Sequence, residues 1–145
     1  MDHQNILPTI GLGNIKFLIS IDEFKGLIGE PDDDELIKEK IGELNSKILH
    51  YDSIGLSASF DEEFDWKLTS ITVNDDNFHL DENYLFHVTK STFLKMIKKL
   101  NLGHYVSDVF KEEEKMSEEV TDKVEENISF WFENDELQEI QWGVI

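Results

Sequence analysis

Two hydrophobic periods take turns along the chain. Ile21, Phe24, Leu27 and Ile28 recur at helical spacing. Ser20-Ile21-Asp22-Glu23 ahead of them forms a capping box: the Ser20 hydroxyl accepts from the Glu23 N–H, and the Glu23 carboxylate reaches back to the Ser20 N–H. Gly29 suits the position past the helix end and Pro31 stops it, so the spacing predicts a helix over 21–28. Phe93, Ile97 and Leu100 repeat the pattern, with Ser91 as cap and Gly103 as stop. Lys95, Lys98 and Lys99 lie towards the C-terminus of this segment, where the helix dipole favours cations; a second helix is predicted over 92–101.

Elsewhere the period falls to two. Residues 14–19, 47–51, 55–60, 66–73 and 105–110 read as strands, with Trp66, Leu68 and Val73 as anchors. The segments 55–60 and 66–73 form a hairpin across an acidic connection at 61–65, and 74–77 is a polar turn. Residues 78–88 hold one or two short strands, 32–34 an acidic turn, and 35–44 fits either a helix or an amphipathic strand. A second hairpin joins 127–133 to 137–142 through Asn134-Asp135. Residues 111–126 carry seven Glu and one Asp against three Lys, with no sustained apolar stripe. They are expected to be a mobile loop or a solvated helical excursion.

The two hairpins echo each other. Leu56-Ser57-x-x-Phe60-Asp61 returns as Ile128-Ser129-x-x-Phe132-Glu133, and Leu68-x-x-Ile71-x-Val73 as Leu137-x-x-Ile140-x-Trp142. A duplicated strand–helix–strand–strand–strand unit accounts for this; chance likeness of two amphipathic hairpins is the plainer alternative. Either way the pattern predicts a single α+β domain over 1–145, with a largely antiparallel sheet and two main helices.

Composition narrows function mainly by exclusion. The 145 residues contain no cysteine, which excludes disulfides, zinc–thiolate sites and a catalytic thiol. With 13 basic against 32 acidic side chains the formal net charge is −19, which excludes a basic nucleic-acid binder and leaves no direct nucleic-acid partner. No run approaches 18 apolar residues, and so acidic a chain is repelled by anionic lipid, so no membrane partner is expected. The first residues lack a basic n-region and a small-residue cleavage site, so the expected location is the cytoplasm. Gly11-Leu12-Gly13 opens like a dinucleotide fingerprint, but Lys16 stands where the third glycine belongs, and the segment precedes a predicted strand instead of following one. The five histidines make no metal-binding pair at helical spacing, and the acidic runs 32–34 and 75–77 lack the glycine of a calcium loop. Ser57 and Ser59 sit in a predicted strand without a nucleophile elbow. No cofactor, metal or catalytic residue is nominated, and the chain reads as a monomeric non-enzyme. Phe130 and Phe132 share one strand face while Trp131 points the other way, and one of these sets is core.

The acidic charge is clumped, in 32–35, 61–65, 75–82 and 112–126. Clumped charge raises the local potential and steers a basic partner. The partner-binding candidates are Asp61, Glu62, Glu63, Asp65, Asp75 and Asp76, with Phe64 as an aromatic anchor.

The layout also resembles a family. Gly11-Leu12-Gly13-Asn14-Ile15-Lys16-Phe17, Ser20-Ile21-Asp22-Glu23-Phe24 and Leu27-Ile28-Gly29-Glu30-Pro31-Asp32 lead. Tyr51-Asp52-x-x-Gly55-Leu56-Ser57-x-Ser59-Phe60-Asp61 follows, and Phe130-Trp131-Phe132-Glu133 with Leu137-x-x-Ile140-x-Trp142-Gly143 closes. Together they resemble the small immunity proteins of bacterial polymorphic-toxin and contact-dependent growth-inhibition systems. The resemblance implies an inhibitor that neutralises a co-produced basic toxin domain, an RNase ahead of a DNase, inside the producing cell. It implies no catalytic residues, and binding residues vary too much between members for any to be carried over. Two rivals stay open: an acidic nucleic-acid mimic or regulator that binds a host nucleic-acid-binding protein, and a small hydrolase with paired carboxylates.

Overall fold

The computed structural model describes residues 4–38, 44–100, 105–112, 115–122 and 127–144. Helix α1 (Ile21–Ile28) begins at Ser20, whose hydroxyl accepts from the Glu23 N–H at 3.1 Å and ends at Gly29, where φ is 105°. The Glu23 carboxylate meets the Ser20 hydroxyl at 3.4 Å, where the capping box expected the backbone N–H. Helix α2 (Lys90–Leu100) starts earlier than predicted. Its cap is Thr89 and not Ser91: the Thr92 N–H points to Thr89 Oγ1 at 3.3 Å. The expected stop at Gly103 lies outside the described residues.

Among the described residues twelve strands form two sheets. The small one joins β1 (Asn5–Leu7), β2 (Gly11–Leu12), β3 (Ile15–Lys16) and β8 (His79–Leu80) in the order β3-β2-β1-β8. The strand expected over 14–19 is thus only two residues long, because Leu18 takes a left-handed turn at φ 72°. The large sheet runs β4-β5-β6-β7-β12-β11-β10-β9, all antiparallel. Its members are β4 (Asp33–Ile37), β5 (Ser46–Tyr51), β6 (Leu56–Asp61), β7 (Lys67–Val73), β9 (Tyr105–Glu112), β10 (Lys115–Asp122), β11 (Ile128–Glu133) and β12 (Glu136–Gly143).

Three expectations fail here. Asp33 and Asp34 belong to edge strand β4 and not to a turn, pairing with His50 and Leu49. Residues 115–122 of the charged run form β10, paired with β11 from Ser117 opposite Glu133 to Asp122 opposite Ile128. Backbone pairing to an apolar strand outweighs the solvation that the charges favour; residues 113–114 and 123–126 of that run lie outside the described residues. Trp66 is half-buried in a left-handed conformation at φ 60°, at the end of a turn instead of anchoring a strand.

The echo between the hairpins extends to three dimensions. Each half is a helix followed by four strands, and the halves meet at β7 and β12. The fourth residue of each helix is a buried phenylalanine. Phe24 packs edge-on to Phe60 at 5.5 Å, and Phe93 packs edge-on to Phe132 at 5.1 Å. The register slips at the same step in both hairpins, between Ser59 and Phe60 and between Trp131 and Phe132. The turns differ. Asn134 and Asp135, at φ 52° and 65°, make a tight primed turn. Residues 62–66 insert a 3₁₀ turn instead.

The core lies between one face of the large sheet and a layer made of the helices and the small sheet. Leu49, Leu56, Phe60, Leu68, Ile71, Ile128, Phe130, Phe132, Ile140 and Trp142 come from the large sheet; Ile6, Leu12 and Ile15 come from the small one. The Trp142 indole N–H donates to the Gly11 carbonyl at 2.9 Å and ties the sheets together.

Candidate functional site

Strand alternation that buries one face of the large sheet turns a different set of residues to the other face. His50, Ser57, Thr72, Gln141 and Ser129 stand opposite one another across β5, β6, β7, β12 and β11. The next row is Ile48, Ser59, Ser70 and Gly143. Serine and threonine are short, so the surface dips along β6 and β7. Three adjoining depressions result, of about 330, 340 and 180 Å³. The first two share Ser70 and Gln141; the last two share Ser57, Thr72 and Glu139. Together they make a furrow whose lining, among the described residues, includes Asp61, Glu139 and Asp52 and no lysine.

Its carboxylates are held differently. Asp61 is fixed by hydroxyls: Ser46 Oγ at 2.7 Å and Thr69 Oγ1 at 2.8 Å both donate to it. Thr69 can do so because it is the extra residue of the register slip. Glu139 is half-buried and has no hydrogen bond or ion pair among the described residues. Burial pushes its carboxyl above the usual carboxylate range.

One arrangement has the order of a nucleophile, base and acid. Ser57 Oγ lies 3.1 Å from His50 Nδ1, and His50 Nε2 lies 3.1 Å from Glu35 Oε2. Acyl transfer also needs donors for the developing oxyanion. Ser57 is on an inner strand, laddered to His50 on one side and Thr72 on the other, a setting in which backbone N–H groups are committed to the sheet. The two contacts hold His50 at the furrow's edge. Among the described residues no group of three or more His, Asp or Glu side chains is placed to hold a metal ion.

The predicted partner-binding residues divide. Asp61 and Phe64 line the 330 Å³ depression. Glu63 and Asp65 are exposed at the hairpin tip beside them. Glu62 is turned to structure, its Oε1 accepting from the Asn45 N–H at 3.0 Å. Asp75 and Asp76 are at the other end of β7, about 20 Å away by strand rise, so the candidates do not make one patch. Asp75 Oδ1 accepts from the Asn77 backbone and side chain at 3.0 and 2.8 Å, and Asp76 meets His87 Nε2 at 2.8 Å. Sequence reasoning missed Glu139, Ser70, Thr72 and Gln141. The available signal was the echo, which sets Glu139 at the place of Ser70 and so on the uncovered face.

No protein-family model matches the chain, and no curated protein matches it in sequence. Two solved structures match it distantly. One is an extracellular protein containing a SCP domain from Bacillus anthracis, 13% identical, with a TM-score of 0.48 over 87% of this chain. This chain spans 43% of that one's length. The other is a "putative beta-lactamase inhibitor protein" from Streptococcus mutans, 17% identical, with a TM-score of 0.34 over 87% of this chain and 83% of that one. At such values neither protein's activity transfers to this one.

Proposed function

We propose that this chain is a binding protein that neutralises a basic protein partner, and that the open face of the large sheet is its working surface. The observation that carries the reading is that face: a furrow with no lysine among its described residues, crossing the middle of an eight-stranded sheet, in a chain of net charge −19. A sheet with one face in the core can leave the other to solvent, and its laddered backbone needs no ordering on binding. The partner class is that of the immunity-protein resemblance, a toxin domain acting on nucleic acid, an RNase ahead of a DNase. Neutralisation then follows from occupying the cationic surface with which the toxin grips its phosphates.

The test is co-expression with the toxin domain encoded next to this chain, scored by cell survival and co-purification. Ser70→Trp fills the furrow floor and is expected to abolish protection. Glu63→Lys with Asp65→Lys reverses the exposed hairpin tip and is expected to slow association without abolishing it. Glu30→Lys with Glu82→Lys is the matched change on exposed residues away from the furrow, expected to be neutral. Raising salt from about 0.05 to 0.5 M shortens screening from roughly 14 to 4 Å, and the on-rate should fall about tenfold or more. Full protection by the Ser70→Trp variant refutes the assignment of the face. Capture of a host nucleic-acid-binding protein with no toxin rescued replaces the reading with its regulatory rival.

A further inference from the structure

We infer that Glu139 is the seat for one cationic side chain, a lysine or arginine, projecting from an extended segment of the protein that the open face binds. The inference rests on the binding role proposed above and names the chemistry at its centre.

Glu139 is on β12, one of the two strands at the middle of the large sheet, and it lines two of the three depressions. Around it are oxygen atoms able to accept hydrogen bonds: the hydroxyls of Ser57 and Thr72 in both depressions, and Ser59, Ser70 and Gln141 in the larger. Asp52 adds a second negative charge at the far end, and His50 stands across the larger depression. All 13 basic residues of the chain are lysines, and among the described residues none lines the furrow. The carboxylate thus has its solvation reduced and no cation among the described residues in exchange. Burial holds its proton affinity up. An ammonium or guanidinium group arriving there would find a carboxylate and several neutral acceptors together, which is how a cation is satisfied when water is excluded. A divalent metal is a poor fit, since it takes six or more oxygens and favours several carboxylates. The furrow's length along β7, about 17 Å from Thr69 to Asn74 by strand rise, suits an extended segment of several residues. A central buried contact ringed by near-neutral ones is the usual arrangement of binding energy at an interface.

The experiment uses the intact chain labelled for NMR, and three capped peptides as probes: Gly-Ser-Lys-Ser-Gly, its arginine counterpart and its norleucine counterpart. The lysine and arginine peptides are expected to shift the amides of Ser70, Thr72, Glu139 and Gln141 and to lower the titration midpoint of the Glu139 carboxyl. Norleucine should do neither. Glu139→Gln should weaken the cationic peptides about tenfold or more. Equal binding by norleucine, unchanged binding to the Glu139→Gln variant, or shifts confined to Glu63 and Asp65 would overturn the inference. The co-expression assay separates the two proposals. Protection lost with Ser70→Trp but unchanged with Glu139→Gln keeps the binding role and removes the seat. Peptide binding lost with Glu139→Gln, with no toxin neutralised, keeps the seat and removes the role.

Discussion

Replacing Trp142 by phenylalanine tests whether the two sheets depend on each other. Trp142 is 1% exposed, and its indole N–H is the donor to the Gly11 carbonyl at 2.9 Å. Phenylalanine keeps an aromatic ring but removes the donor and about three ring atoms. The missing ring atoms cost about 1–2 kcal/mol in lost burial and incomplete refilling. Taking a donor from a buried carbonyl costs about 1–2 kcal/mol more. A loss of about 2–4 kcal/mol is a large share of a domain stability of about 5–15 kcal/mol. With a urea slope near 2 kcal/mol per molar, the midpoint should fall by about 1–2 M. Denaturation followed by circular dichroism reads this directly. Trp131→Phe, at a half-buried site on the open face, is the control and should move the midpoint by under about 0.5 M. The Trp142 indole N–H should also exchange more slowly than those of Trp66 and Trp131. A midpoint change below about 0.3 M with fast indole exchange would refute the tie between the sheets.

Gly11→Ala should be worse than its single methyl suggests. A Cβ there would come within 1.9 Å of the Ile15 carbonyl oxygen at a φ of 151°, so a loss of about 3 kcal/mol or more, or failure to fold, is expected in thermal melts. Thr89→Ala should cost about 1 kcal/mol through loss of the α2 cap, while Ser91→Ala, exposed in the first turn, should stay within about 0.5 kcal/mol. Glu139→Gln should stabilise the free protein at neutral pH by a few tenths of a kcal/mol, roughly the size of a surface substitution. The sign follows from the raised carboxyl: such a group favours the fold while protonated and loses that contribution as pH rises through its folded value, so the gain should vanish below the ordinary glutamate range. A gain that persists unchanged in acid would show that the carboxylate is not penalised by burial. A fluorophosphonate probe should leave Ser57 unlabelled by mass spectrometry, and stoichiometric labelling would restore the hydrolase reading.

The elements that were legible in sequence are those whose own side chains determine them. Helix α1 carries its cap, its apolar stripe and its stop within ten residues, 20–29, and its bounds match the prediction. The first strand of each hairpin alternates cleanly, and Asn134-Asp135 is a turn on local chemistry alone. Strand β10 was not legible, and β4 was offered only from Glu35 on and only beside a helix, because an acidic strand is stabilised by its neighbour's backbone and not by its own apolar face. Ser91 and Thr89 both precede an apolar periodic run, and only the hydrogen bond separates them. The site was illegible for a related reason. Ser57, Ser59, Ser70 and Thr72 are unremarkable one by one, and only the register places them as the floor of a single furrow. Acidic density directed attention to residues 61–65 and 75–76, yet Glu62, Asp75 and Asp76 have local structural partners. The solitary Glu139, flanked by glutamine and isoleucine, had no density to advertise it.

The internal repeat sharpens the functional argument, because its halves agree inside and disagree outside. On the core side Phe60 corresponds to Phe132, Ile71 to Ile140 and Phe24 to Phe93, and each pair is buried. On the open side Ser59 corresponds to Trp131 and Ser70 to Glu139 by the same register. Folding alone requires only the agreement. A repeat left to fold would tolerate small polar residues on both halves of its outer face, and the face would look alike under rotation about the β7–β12 junction. Here one half supplies a floor of hydroxyls and the other raises a tryptophan and a carboxylate beside it. The longer turn at 62–66 adds Phe64, which has no counterpart at the two-residue turn Asn134-Asp135. Such a surface offers a partner one orientation instead of two equivalent ones. Under the proposed function that asymmetry supplies specificity: clumped charge brings any basic protein close, and the unequal halves decide which one, turned which way, fits the furrow.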